Sequence, residues 1–305
     1  MTIIKLGTRK SPLALAQASQ VRDLLLKAHP YIEVEICHIM TSGDKFLSQP
    51  LADIGGKGLF TKEIEEGLLD KSLDIAVHSM KDMPTVLPEG LIISAMLQRE
   101  DPRDMLIADD VSSINDLPQN AVFGTSSLRR ASQIKIIRPD IQIVPFRGNV
   151  QSRLAKLEKG EVQATMLAKA GLNRLGLTKI KGVVLEVAEF LPAIAQGAVG
   201  IECRTDDIKT RELLAPLAHK ITEIAVNCER AFLKELDGSC RTPISGYAII
   251  EGEEIFLRGL ITEPDGSSFS AGNLRGNIND GEAIGIELAR KIATNQFDIS
   301  CKNIL

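Results

Sequence analysis

Between Leu73 and Pro84 an apolar run through Ile75, Ala76 and Val77 passes directly into Ser79, Lys81 and Asp82. A buried strand ending in a hydroxyl, an ammonium and a carboxylate fits an open α/β sheet, where ligands bind beyond the carboxyl ends of strands. Asp82 is the first candidate there for a reactive group, although in isolation the segment reads more simply with Asp82 and Lys81 as solvated loop charges. Three other strand-to-helix junctions carry related side chains: Arg9 and Ser11; Thr125, Ser126, Ser127, Arg129 and Arg130; and Arg147 and Asn149. Helix N-termini offer unpaired N–H groups and a positive dipole end, and an arginine fork matches a carboxylate or phosphate with two hydrogen bonds. A single surface arginine is usually a solvated charge, but the recurrence predicts an anion pocket that either anion would fit.

Other reactive side chains are weaker signals. Gly55-Gly56-Lys57-Gly58 lacks the spacing of a phosphate-binding P-loop, so Lys57 is expected either as a lid contact to an anion or as a solvated lysine. Cys240 sits in the loop Asp237 to Pro243 beside Arg241, whose charge favours thiolate. Position alone leaves a structural and a reactive Cys240 equally open. Cys37, Cys203 and Cys228 fall on apolar faces and are expected to be buried. Five cysteines without a CxxC pair predict neither disulfides nor bound metal, and His29, His38, His78 and His219 lack ligand spacing. His78 is expected to pack at its strand end.

The chain has 305 residues, 44% of them hydrophobic, enough for more than one core. A net charge of −4, no Trp and two Tyr exclude a polycation that stacks on nucleic-acid bases. The amino terminus does not read as a signal peptide and no apolar run reaches membrane-spanning length, which predicts a cytoplasmic protein without a membrane partner.

The elements that must position these residues follow a repeated strand-loop-helix grammar. Ile3 to Leu6 reads as a strand, and Ser11 and Pro12 start a helix that ends at His29-Pro30. Ile32 to Met40 alternates as a strand, and Thr41 to Gly58 is an aperiodic loop of the kind that serves as a lid. A helix over Thr61 to Asp70 and strands at Asp74 to Val77 and Leu91 to Met96 complete a first domain, 1–98 with 198–217. The charged segment Gln98 to Asp104 is expected to be a hinge at which the lobes open. Strands at Ala121 to Phe123, Ile141 to Phe146 and Val162 to Met166, each followed by a helix, form a second domain over 103–193. A helix from Thr222 to Gly238, short alternating strands from Ile244 to Asn273 and a helix from Glu282 to Thr294 predict a small α+β domain over 220–305.

Seven segments together resemble the porphobilinogen deaminase family nearly end to end. They are Gly7 to Ala14, Gly55 to Glu63, His78 to Pro84, Arg99 to Asp104, Gly124 to Arg130, Arg147 to Val150 and the Cys240 loop. The resemblance implies two doubly wound lobes shaped like periplasmic binding proteins, and a third domain with an antiparallel three-stranded sheet. It also implies a dipyrromethane cofactor held by Cys240 through a thioether. The enzyme extends this primer by four porphobilinogen units with loss of ammonia, and water then releases linear hydroxymethylbilane for tetrapyrrole and heme biosynthesis. Asp82 matches the family's catalytic carboxylate. Ser79, Lys81, Thr125, Ser127, Arg129, Arg130, Arg147 and Gly148 match cofactor-binding positions, and Arg9, Ser11, Arg147, Arg153 and Arg174 match substrate-binding ones.

Each pyrrole bears acetate and propionate, so a growing polypyrrole requires several arginine forks. Loss of ammonia leaves a cationic, azafulvene-like species that a fixed carboxylate stabilises. The expected partners are porphobilinogen, the growing chain and a uroporphyrinogen III synthase that receives the product from a monomer. Three positions depart from the family: Ser239 and Ala195 stand where glycine is usual, and Asp53 stands where some relatives have lysine. Ser239 would be strained if its loop needed a positive φ. Two rival readings are a non-catalytic two-lobed anion-binding protein, which lacks an export signal, and an unrelated cysteine-nucleophile transferase, which lacks a base near Cys240.

Overall fold

The β-branched run Thr2-Ile3-Ile4 opens β1 (Thr2–Arg9). Ser11 then accepts a hydrogen bond from the Ala14 amide, and Pro12 opens α1 (Pro12–Ala28), which turns Ala18, Val21 and Leu25 onto the sheet. The computed structural model describes residues 2–45, 61–238 and 242–294. The first part continues with β2 (Ile32–Ile39), α2 (Ser42–Lys45), α3 (Lys62–Leu69), β3 (Ile75–Ser79) and β4 (Leu91–Met96). Then come β5 (Asp104–Ala108), β6 (Val122–Gly124), α4 (Leu128–Ile137), β7 (Gln142–Val144), α5 (Val150–Glu158), β8 (Ala164–Ala168), α6 (Lys169–Arg174) and β9 (Val183–Val184). The remainder is β10 (Val199–Arg204), α7 (Ile208–Leu214), α8 (Lys220–Glu235), β11 (Ile244–Glu251), β12 (Glu254–Thr262), β13 (Phe269–Asn277) and α9 (Gly281–Ala293).

Two units emerge, Met1–Glu100 with Ala198–Glu223, and Asp101–Gly197 with Ile224–Leu305. The sheet of the first has the order β2-β1-β3-β10-β4, with β1 parallel to β2 and β3, and β10 antiparallel to β3 and β4. One face buries Leu6, Ile75, Val77, Val199 and Ile201 against α1, and the other packs Ile64 and Leu68 of α3 on Ala76. Each such side chain contributes about 1.5–3 kcal/mol when fully buried. The second unit repeats the pattern as β7-β6-β8-β5-β9, again with one antiparallel strand, β5, inside the sheet. It also carries the antiparallel sheet β11-β12-β13, against which α9 packs. These are the two α/β lobes and the small α+β sheet that the sequence predicts.

The structure corrects several expectations. The segment ending in Asp104 is not hinge throughout, because Asp104 opens β5, whose five residues are all buried. Its apolar stretch Met105-Leu106-Ile107-Ala108 was the overlooked signal. Strand β9 and helix α7 are further elements absent from the sequence reading. Cys37 is half-buried rather than buried, whereas Cys203 and Cys228 are buried thiols. Among the described residues no helix is long and apolar enough to cross a membrane.

Candidate active site

In the first unit, β3 ends at Ser79 and the chain makes a 3-10 turn over Met80–Asp82. The turn is held by the Met80 amide on the Ala198 carbonyl at 3.0 Å and by the buried Met80 side chain. Met80 lies across β10 because position 200 is glycine: a Cβ there would stand 2.1 Å from the Met80 sulfur. With Met80 anchored inward, Asp82 is exposed and Lys81 half-buried.

One cleft is lined by Arg9, Ser11, Gln17, His78, Ser79 and Asp82. The Gln17 amide donates to the Ser79 hydroxyl at 2.8 Å, and the Ser11 hydroxyl caps α1. His78 does more than pack. Its Nε2 lies 3.0 Å from Oε2 of Glu202, a fully buried carboxylate on β10. Nearby on α3, burial pushes the Glu65 carboxyl up; the Thr61 hydroxyl opposes this and Glu202 adds to it.

In the second unit the loop from β6 to α4 orients its side chains by local hydrogen bonds. Thr125 is buried and its hydroxyl accepts from the Ser127 amide at 3.1 Å, while the Ser126 hydroxyl accepts from the Phe146 amide at 3.0 Å. Ser127 is the N-cap of α4, accepting from the Arg130 amide. Arg129 and Arg130 consequently leave the first turn side by side and reach opposite oxygens of Asp104, each at 2.6 Å. Arg129 also donates to the Leu191 carbonyl at 2.7 Å, and the Gln196 amide reaches Asp104 at 3.0 Å. Full burial raises the Asp104 carboxyl, but the two guanidiniums more than cancel this and hold it well below the usual carboxylate range.

Arg153 on α5 donates to the Met166 carbonyl at 2.8 Å, with its guanidinium 5.9 Å from the Phe146 ring centroid. Burial and the charge of Arg130 depress it to about 9, with Asp104 opposing. Nε of Arg130 and of Arg153 have no partner among the described residues. Among the described residues the buried Arg129 and Arg130 thus share one carboxylate, Asp104, with the half-buried Arg153 as a third cation. Buried cations without counter-ions are costly and suit a site completed by an anionic ligand.

At the next junction Gly148 has φ +125°, and an added Cβ would stand 2.2 Å from the Ser152 hydroxyl oxygen, so only glycine fits before the Asn149 cap of α5. Arg147 is half-buried beside it, and Arg174 donates to the Gly197 carbonyl at 2.8 Å. Lys57 and Cys240 lie outside the described residues. The structure therefore gathers Arg9, Ser11, Ser79 and Asp82 in one cleft and links Arg129, Arg130 and Asp104 in one cluster. Asp104, Gln17, Gln196 and Glu202 are partners that sequence reasoning missed. Only an acidic residue before an apolar strand hinted at the first.

A mixed α/β chain with a carboxylate at one strand end and a surplus of guanidiniums at another fits an enzyme that handles a multiply anionic substrate. Residues 4–212 match the family described as "Porphobilinogen deaminase, dipyromethane cofactor binding domain", and residues 223–294 match "Porphobilinogen deaminase, C-terminal domain". The chain belongs to the porphobilinogen deaminase family. It is 51% identical over 291 residues to the porphobilinogen deaminase of Paracoccus denitrificans, covering 95% of this chain and 93% of that one. Its activity is accordingly hydroxymethylbilane synthesis from porphobilinogen, a transferase reaction of tetrapyrrole biosynthesis that uses a dipyrromethane cofactor.

Two solved structures with a similar fold are distant in sequence. The substrate binding domain of a putative molybdenum ABC transporter from Clostridium difficile shares 11% identity at TM-score 0.48, over 72% of this chain and 93% of that one. The BenM effector binding domain with benzoate shares 15% at TM-score 0.43, over 70% and 91%.

Proposed function

We propose that Asp82 is the catalytic carboxylate and that Cys240 carries the dipyrromethane through a thioether. The observation that supports a bound polyanionic cofactor is the surplus of guanidiniums around Asp104, with Nε of Arg130 and Arg153 unpartnered among the described residues; the roles of Asp82 and Cys240 rest on the family motifs they match. A dipyrromethane with acetate and propionate groups fits that surplus. Arg129, Arg130 and Arg147 hold its carboxylates, with Ser79, Lys81, Thr125, Ser127 and the Gly148 backbone as further donors. When bound, the cofactor supplies a free pyrrole carbon to which the first porphobilinogen is joined.

Arg9, Ser11, Arg147, Arg153 and Arg174 bind the incoming substrate, and Lys57 contacts it from the lid. Each addition breaks the carbon–nitrogen bond of the substrate's aminomethyl group and forms one carbon–carbon bond. The Asp82 carboxylate balances the positive charge left on the substrate when ammonia departs, and it takes the proton displaced from the attacked ring carbon. That proton leaves with ammonia as ammonium. After four additions water releases the linear product.

The chain is read as three domains, 1–98 with 198–217, 103–193, and 220–305. The separate sheet of β11 to β13 supports the third. It is further read as a cytoplasmic monomer whose product passes to a uroporphyrinogen III synthase.

Intact mass and an acidic-aldehyde colour reaction test the attachment. The purified chain is expected to exceed its sequence mass by a dipyrromethane and to give the pyrrole colour, and Cys240→Ala to do neither. An unchanged excess mass in the variant would refute Cys240 as the site.

A further inference from the structure

The anion cluster of the second unit is wired to the small sheet through one side chain. Gln133, in the middle of α4, is fully buried. Its Nε2 donates to the Leu191 carbonyl and to the Ser245 hydroxyl, both at 3.0 Å, and its Oε1 accepts from the Leu191 amide at 3.0 Å. One amide thus fixes both polar backbone atoms of Leu191, whose carbonyl is also the acceptor for Arg129. The contacts form an unbroken line: Ser245 on β11, Gln133, Leu191, Arg129, Asp104, Arg130.

A second tie runs alongside. The Thr262 hydroxyl on β12 contacts the Ser132 hydroxyl at 2.6 Å and the Pro243 carbonyl at 3.2 Å. Pro243 lies three residues beyond Cys240. The exit of the cysteine-bearing segment and the arginine-bearing turn are therefore fastened to neighbouring residues of one helix.

Burying a primary amide is costly unless its hydrogen bonds are made, and a fully satisfied buried network fixes a single geometry. We propose that Gln133 is a positioning residue: it couples the small sheet to Arg129 and Arg130 and sets the direction in which the arginines meet the substrate's carboxylates. The proposal rests on the reading that these arginines face the polyanion. It assigns Gln133 no contact with substrate.

The test compares Gln133→Met, Ser245→Ala, the double variant and Arg130→Met, by steady-state kinetics with porphobilinogen, intact mass and thermal unfolding. Loss of one hydrogen bond predicts that Ser245→Ala raises KM about threefold, and loss of the whole amide that Gln133→Met raises it about tenfold. In both variants kcat is expected to stay within about twofold, and fewer Gln133→Met chains should carry the cofactor mass. Adding Ser245→Ala to Gln133→Met should raise KM no further, the signature of a shared path. Unchanged KM and cofactor mass with only a lowered Tm would overturn the proposal. If Gln133→Met fails to fold, Ser245→Ala decides, with an unchanged KM refuting it. Arg130→Met separates the two levels. If it changes KM and the Gln133 variants do not, positioning fails alone; if Arg130→Met is neutral, the underlying site reading fails and the proposal with it.

Discussion

Asp104 and Arg130 meet at 2.6 Å in a buried ion pair whose guanidinium keeps an Nε unpartnered among the described residues. The carboxylate orients the arginine without satisfying it. Because Asp104 also takes Arg129, it holds two like charges side by side that would otherwise separate.

Removing it should be severe. Asp104→Ala leaves Arg129 and Arg130 buried without their carboxylate and is expected to cost about 3–5 kcal/mol by denaturant unfolding. A loss below about 1 kcal/mol would show that the cluster tolerates its own repulsion. The pH dependence has a definite sign. The Asp104 carboxyl is held below its ordinary value of 3.8, so its stabilisation is fully present above that pH and is lost as pH falls well below it. Unfolding midpoints measured down the acid range should show Asp104→Asn losing this acid-dependent step.

Asp82 is the opposite case. It is exposed, so Asp82→Ala should leave Tm within about 1 °C while lowering kcat at least about a hundredfold. Near-normal product formation by the pure variant would sink its catalytic assignment.

Cys228 should be inert. Burial, with Glu229 adding, pushes its thiol from 9.0 up to about 12. Keeping the thiol neutral stabilises the fold below pH 9.0, and that contribution is lost as pH rises toward 12. Alkylation read by peptide mass at about pH 8 should modify Cys228 in urea and not in the native chain.

Ala195 has φ +59°, in the left-handed region that disfavours a side chain, and its amide donates to the buried Glu229 at 2.6 Å. Ala195→Gly relieves about 1 kcal/mol of backbone strain, partly offset by losing a buried methyl. Thermal unfolding should show Tm rising by about 1–2 °C; a fall would mean that the methyl's packing outweighs the strain.

The lobes were legible because their signals are local: Ser11-Pro12, the Ser127 and Asn149 caps and the apolar strands all act within a few residues. At Ala195 the sequence marked only an alanine where glycine is usual; its left-handed φ is a finding of the structure. What sequence concealed depends on residues brought together from afar. Asp104 read as a hinge charge because its partners stand 25 and 26 residues away, and His78 read as packing because Glu202 is 124 residues on. No spacing rule reports such pairs.

The inserted antiparallel strands bear on how the chain is made. β10 lies between β3 and β4, yet it is translated only after the whole second lobe, so a nascent chain that ends at Glu100 has β3 and β4 without the strand that joins them. Until Val199 to Arg204 emerge, β3 and β4 present unpaired edges, the arrangement most prone to mispairing with another chain. The first lobe to be synthesised is thus the later one to close, and its edges are where a chaperone would be needed.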